Sequence, residues 1–153
     1  MFSYLFTFSI ALAVSLLITP LIRNFARKKG WVDNPDGKRK LHRTPIPRIG
    51  GVGIYFALVI ALLPVFLLPT DVAKYLSENL STFAYVIAFS GLIMLIGLWD
   101  DLHEISPWKK LAAQSLVAVL CWWAGFRILV VWAGDRVELA GILSLFLTVL
   151  WIV

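Results

Sequence analysis

The chain has 153 residues, 60% of them hydrophobic and 15% charged, with a mean hydropathy of +0.86, which excludes an ordinary water-soluble globule. Seven Trp, ten Phe and four Tyr also exclude a disordered segment, since disorder requires low hydrophobicity. The net charge of +5 comes from Lys and Arg that flank apolar runs, a distribution that points to membrane sidedness and away from nucleic acid.

A helix crosses the hydrocarbon core with about 20 apolar residues, and the chain offers such runs in order. The first helix is predicted over 2–22. No basic residue precedes it, no small-residue cleavage pattern follows it, and Arg23 opens a basic flank, so it reads as a signal anchor with the N-terminus outside. A polar loop, 23–48, leads to a second helix over about 50–70. The third helix is predicted over 79–99 and ends in a second polar loop, 100–106. Ser106 as N-cap and Pro107 at the first helical position start a fourth helix over 107–126. Between Ile128 and Leu139, a β-favouring stretch followed by Gly134-Asp135 predicts a small external hairpin, with an irregular loop as the alternative. A fifth helix begins at Leu139 and is still apolar at Val153 after about 22 Å, less than a core of about 30 Å, so it is expected to continue in a longer protein.

Lys and Arg number nine from Arg23 to Arg48 and two from Asp100 to Lys110, whereas the alternate side holds only Lys74, Arg127 and Arg136. The asymmetry places both polar loops in the cytoplasm. The expected architecture is all-α: a polytopic transmembrane bundle of five helices, one integral membrane domain across 1–153. Cys121 is the sole cysteine and has no disulfide partner within the chain.

Asp100-Asp101 follows directly on an uncharged run, at a helix C-terminus where the dipole is already negative and each carboxylate is disfavoured by roughly 0.3 to 1 kcal/mol. A positive partner is expected: Lys109, Lys110, a basic residue of the first loop, or a hard divalent cation. The alternative is a solvated interfacial pair. In the first loop, Pro35, Pro45 and Pro47 stiffen the backbone, and Gly50-Gly51 opens it to close approach. Lys38, Arg39, Lys40, Arg43 and Arg48 can gather phosphate charge. The competing reading is a polybasic stretch that grips anionic lipid headgroups, although such attraction needs no fixed backbone. Gln114, one turn into the fourth helix, suits a hydrogen bond between helices.

Taken together, VDNPDGKRKLHRTPIPRIGG and GLWDDLHEISPWKKLAAQ resemble the polyprenyl-phosphate N-acetylhexosamine-1-phosphate transferases of glycosyltransferase family 4. The family's first-loop pattern falls on Asp33, Pro35, Arg39, Lys40, His42, Pro45, Pro47, Arg48, Gly50 and Gly51, with one extra residue in Asp36-Gly37-Lys38. Its second falls on Gly97, Asp100, Asp101, Ile105, Ser106, Lys110, Leu111 and Gln114. The resemblance covers the whole chain and about the first half of such an enzyme; an Asn- and Asp-rich loop and a later His-containing loop would lie past Val153.

The resemblance implies transfer of a sugar 1-phosphate from a UDP-sugar to a polyprenyl phosphate, with release of UMP, in a bacterial inner membrane. The PIPRIGG form is more similar to the N-acetylglucosamine branch than to the muramoyl-pentapeptide branch. It implies Mg²⁺, with Mn²⁺ as an alternative, and puts Asp100 and Asp101 in the metal and nucleophile region. Arg39, Lys40, His42 and Arg48 would contact phosphate, with Gly50 and Gly51 allowing its approach. The partners implied are the two substrates and membrane lipid, with no nucleic acid; a homodimer stays open. The competing class is a non-catalytic five-helix membrane protein whose basic loop only binds anionic lipid.

Overall fold

The computed structural model describes residues 2–35, 44–132 and 136–153. Arg39, Lys40 and His42 of the expected site lie outside these residues. Among the described residues six α-helices form an all-α membrane bundle. Three stretches, Tyr4–Lys29, Gly50–Leu67 and Leu80–His103, are long and apolar enough to cross a membrane.

Helix α1 (Phe2–Lys29) runs a full two turns beyond the expected end at residue 22. Arg27, Lys28 and Lys29 occupy its last turn, where cations complement the dipole, and Gly30 stops it at φ +73°. The Gly30 N–H donates to the Arg27 carbonyl at 3.2 Å and the Trp31 N–H to the Ala26 carbonyl at 2.9 Å, the paired closure of a Schellman motif. Trp31 then folds back edge-on against Phe25, 5.5 Å between ring centres. The first loop therefore begins at Gly30, not Arg23.

Strands β1 (Val32–Asp33) and β2 (Ile46–Pro47) pair antiparallel, Val32 opposite Pro47 and Asp33 opposite Ile46. This small ladder was not expected from the sequence. The Arg48 N–H continues it by donating to the Trp31 carbonyl at 3.2 Å, so the two ends of the first loop close on each other.

Helix α2 (Gly50–Leu62) is shorter than the expected 50–70, because Pro64 has no N–H to donate and its ring crowds the preceding turn; the chain tightens into a 3-10 helix over Leu63–Leu67. Buried Gly53, Ala57 and Ala61 form a stripe of small residues at four-residue spacing, and Ile22 of α1 packs directly over Gly53. A short helix, α3 (Asp71–Glu78), stands where a loop was expected. Thr70 caps it by accepting from the Ala73 N–H at 3.3 Å, and Asp71 sits in its first turn.

Helix α4 (Leu80–His103) packs on α2, and Phe66 meets Phe83 edge-on at 5.1 Å. The helix continues past the expected end at residue 99, so Asp100 and Asp101 stand on its last turn and the second loop shrinks to Glu104–Ser106. Helix α5 (Pro107–Trp123) starts at the expected proline, with no hydrogen bond from the Ser106 hydroxyl. It stops short of residue 126 because Gly125, at φ +100°, closes a second Schellman turn: Gly125 N–H to the Trp122 carbonyl, Phe126 N–H to the Cys121 carbonyl. The hairpin is present as β3 (Val130–Trp132) and β4 (Arg136–Glu138), with Val131 opposite Val137.

Helix α6 (Gly141–Ile152) packs on α5, and its two buried polar residues bond to α5 and to the segment that follows it. Trp122 Nε1 donates to Ser144 Oγ at 3.1 Å, and the Ile128 N–H donates to Thr148 Oγ1 at 3.0 Å. Every buried polar side chain among the described residues has a partner, as a low-dielectric setting demands.

Candidate functional site

Both motif-bearing segments meet at one end of the bundle. Arg48, immediately after β2, points its guanidinium at two carboxylates: Nη1 donates to Glu104 Oε1 at 2.8 Å and Nη2 to Asp33 Oδ1 at 3.0 Å. The hydrogen bond that Arg48 donates to Glu104, then the one it donates to Asp33, raises the guanidinium pKa above its ordinary value, in a group that is charged throughout the physiological range. The Glu104 bond thereby joins the first loop to the α4–α5 turn, while the Asp33 bond ties the loop's own two ends together.

Glu104 is placed by an unusual backbone. It closes α4 at φ 48°, ψ 64°, and among the described residues it is the sole non-glycine with positive φ. Its N–H donates to the Asp100 carbonyl at 2.9 Å, the single closing bond of a left-handed helix end, a position that glycine ordinarily fills.

Asp100 and Asp101 sit side by side on this last turn and are both half-buried. Asp100 Oδ2 accepts from Lys110 Nζ at 2.6 Å, which ties the end of α4 to the start of α5. Lys110 was one of the positive partners the sequence reading asked for. Among the described residues, no hydrogen bond or ion pair engages the Asp101 carboxylate. It lines a cavity of about 320 Å³ between α2 and α4, with Ile49, Gly51 and Tyr55 on the facing wall. The cavity is apolar along α2 and α4 and carries its charge at one end.

The structure separates the two glycines of the motif. Gly51 opens on the Asp101 cavity, whereas Gly50 lines a smaller space against α1 with Arg23 and Pro47. A Cβ at either position would meet nothing within 4 Å, so the room expected for an approaching group is present on both faces. Gln114 is half-buried and makes no hydrogen bond among the described residues, in contrast to the helix-to-helix bond expected of it. His103 stacks on Trp99 at 4.4 Å and stays exposed.

Glu104 is the site residue that the sequence did not single out. Its acidic side chain reads as one more interfacial charge, and only the backbone reveals the left-handed turn that aims it at Arg48. Among the described residues no group of three or more His, Cys, Asp or Glu gathers to hold a metal. The chemistry offered is therefore one open carboxylate, a second that is ion-paired, and a braced guanidinium beside them.

Residues 83–153 match the model of the family described as glycosyl transferase family 4. The chain is 33% identical over 149 residues to the "Probable undecaprenyl-phosphate N-acetylglucosaminyl 1-phosphate transferase" of Bacillus subtilis, a match that covers 95% of this chain and 38% of that protein. It is 34% identical over 106 residues to the "Undecaprenyl-phosphate alpha-N-acetylglucosaminyl 1-phosphate transferase" of Thermotoga maritima, covering 69% of this chain and 30% of the relative. A Yersinia pestis protein of the same name is 28% identical over 116 residues, 76% of this chain and 27% of the relative. The chain thus spans less than two fifths of the length of these curated relatives. No solved structure matches it. With motif segments, membrane helices and relatives in agreement, the chain belongs to glycosyl transferase family 4 and corresponds to the N-terminal portion of its relatives.

Proposed function

We propose that the whole protein transfers N-acetylglucosamine 1-phosphate from UDP-N-acetylglucosamine to a polyprenyl phosphate in a bacterial plasma membrane, releasing UMP, with the N-terminus outside and the Arg48–Glu104 end in the cytoplasm. The observation that carries this reading is the convergence of the two motif segments, Arg48 from one and Asp100-Asp101-Glu104 from the other, at one end of the bundle. The names of the relatives support the lipid phosphate and the transferred N-acetylglucosaminyl 1-phosphate group, and the family resemblance implies the UDP donor.

The nucleophile in this reaction is the lipid phosphate. With a second pKa near 6 it is largely dianionic at neutral pH, so a strong general base is dispensable. A phosphate oxygen forms a bond to the β-phosphorus of the donor, and the bond from that phosphorus to the bridging oxygen breaks, leaving on UMP. Repulsion between anions and their alignment make up most of the barrier.

Mg²⁺ binds through one or two carboxylates together with substrate phosphates and retained waters. Asp101 and its neighbour Asp100 fit that demand as hard oxygen donors, with Asp101 the carboxylate left open and Asp100 held by Lys110. When bound there, the ion would neutralise and orient the diphosphate. For the chain's own residues, we assign Asp101 to the metal side, Gly51 to the close approach of phosphate, and the cations of 38–43 to gathering the incoming charge.

The test is UMP release from UDP-N-acetylglucosamine in membranes supplied with polyprenyl phosphate and Mg²⁺. We expect turnover that Asp101→Asn reduces by about 100-fold or more. Turnover unchanged in Asp101→Asn would overturn the assignment.

A further inference from the structure

We propose that Glu104 and Arg48 form a positioning clamp that fixes the base of the basic first loop against the aspartate end of α4, an inference that rests on the transferase reading above. Three observations carry it. Arg48 is held from two sides, by Glu104 at 2.8 Å and Asp33 at 3.0 Å, and it touches both ends of the loop and the α4–α5 turn at once. The first loop is closed at its base by the β1–β2 ladder, and Arg48 ties that ladder to the α4–α5 turn. Glu104 keeps a left-handed backbone that glycine would adopt without steric cost, and its carboxylate ends on Arg48.

A residue kept only to close the helix would be glycine. The side chain at 104 adds nothing to the closing bond, which the backbone N–H makes to Asp100. What it adds is the second grip on Arg48. The clamp therefore couples the closed base of the first loop, with Arg48 and Gly51 beside it, to the helix end that carries the Asp101 carboxylate, three residues from Glu104. A misplacement of about 1 Å between such groups is enough to cost up to 100-fold in rate.

The decisive variant is Glu104→Gly, which suits the left-handed backbone but removes the grip, compared with the parent in the same membranes. Two readouts are taken. Trypsin cutting after Arg48 requires the guanidinium to leave its carboxylates, and it reports the clamp without reference to turnover. We expect the cut to be about fivefold faster in Glu104→Gly, the factor supplied by one surface charge-assisted bond. UMP release should fall about tenfold in kcat with the KM for the UDP-sugar within about twofold, because no binding group is removed but the loop base is loosened against the Asp101 helix end. Arg48→Ala, which removes both grips, should lose at least as much, and the double variant no more than Arg48→Ala alone.

An unchanged cut after Arg48 would overturn the clamp. A faster cut with full kcat would overturn the positioning role alone. A parent that releases no UMP would overturn the transferase reading and the positioning role with it, while the trypsin comparison would still report whether Glu104 grips Arg48.

Discussion

Asp100 and Asp101 are neighbours in sequence, yet their carboxylates stand in different chemical situations. One is neutralised by Lys110 at 2.6 Å; the other faces a cavity with Gly51 across from it. The two should therefore respond differently to substitution. Lys110→Ala and Asp100→Ala each remove the same bridge, so their combined loss of stability should stay near that of one alone, about 1 kcal/mol for a half-buried pair that solvent still screens; thermal melting of the four-member cycle checks this. The sequence made the pair visible and named Lys110 among its partners, but it did not say which aspartate Lys110 takes. That distinction depends on the helical register of α4, which runs one turn further than its apolar stretch. Arg48 shows the same limit. Its residue type suits phosphate, while its two carboxylate partners lie 15 and 56 positions away and are brought to it only by the fold.

At the scale of the elements, apolar runs located the long helices, and punctuation residues set their ends. Gly30 and Gly125 ended helices where left-handed backbone was needed, and Pro64 ended α2 where a donor was missing. Charge misleads at α1: Arg23 marks an end to the apolar span, yet the helix runs on until Arg27, Lys28 and Lys29 occupy its last turn. Packing between α2 and α4 depends on Gly91, which no periodicity singled out. Tyr55 lies over it and donates its hydroxyl to the Ile87 carbonyl at 3.1 Å; a Cβ at 91 would come within 2.8 Å of that hydroxyl oxygen. Gly91→Ala should thus destabilise the protein by about 1–3 kcal/mol, and adding Tyr55→Phe should recover part of the loss, which a stability cycle in detergent measures. Equal additive losses would show that the two do not meet. In the α5–α6 pair, Thr148→Val keeps the shape but leaves the Ile128 N–H without its acceptor. The expected cost is about 1–3 kcal/mol, read from the same melting experiment, against a near-neutral result if that N–H finds another partner.

Across the whole molecule, the fold joins two polar segments that sequence reading treated as separate loops. The two motif segments resemble family 4, and the family-model match over 83–153 agrees with that resemblance. The spacing could not reveal that the segments are bonded to each other, since that contact exists only once α1, α2 and α4 are packed as a bundle. The central claim is that this joined end handles a nucleotide diphosphate, where a lipid-gripping basic loop would handle only membrane charge. The most direct measurement is tryptic cleavage of the 38–43 segment in membranes, with and without UDP-N-acetylglucosamine plus Mg²⁺, across a range of salt and anionic lipid. The account predicts several-fold protection by nucleotide and Mg²⁺ together, lost on chelation and lost in Asp101→Asn. Protection that follows salt and anionic lipid alone, with no response to the nucleotide, would contradict it.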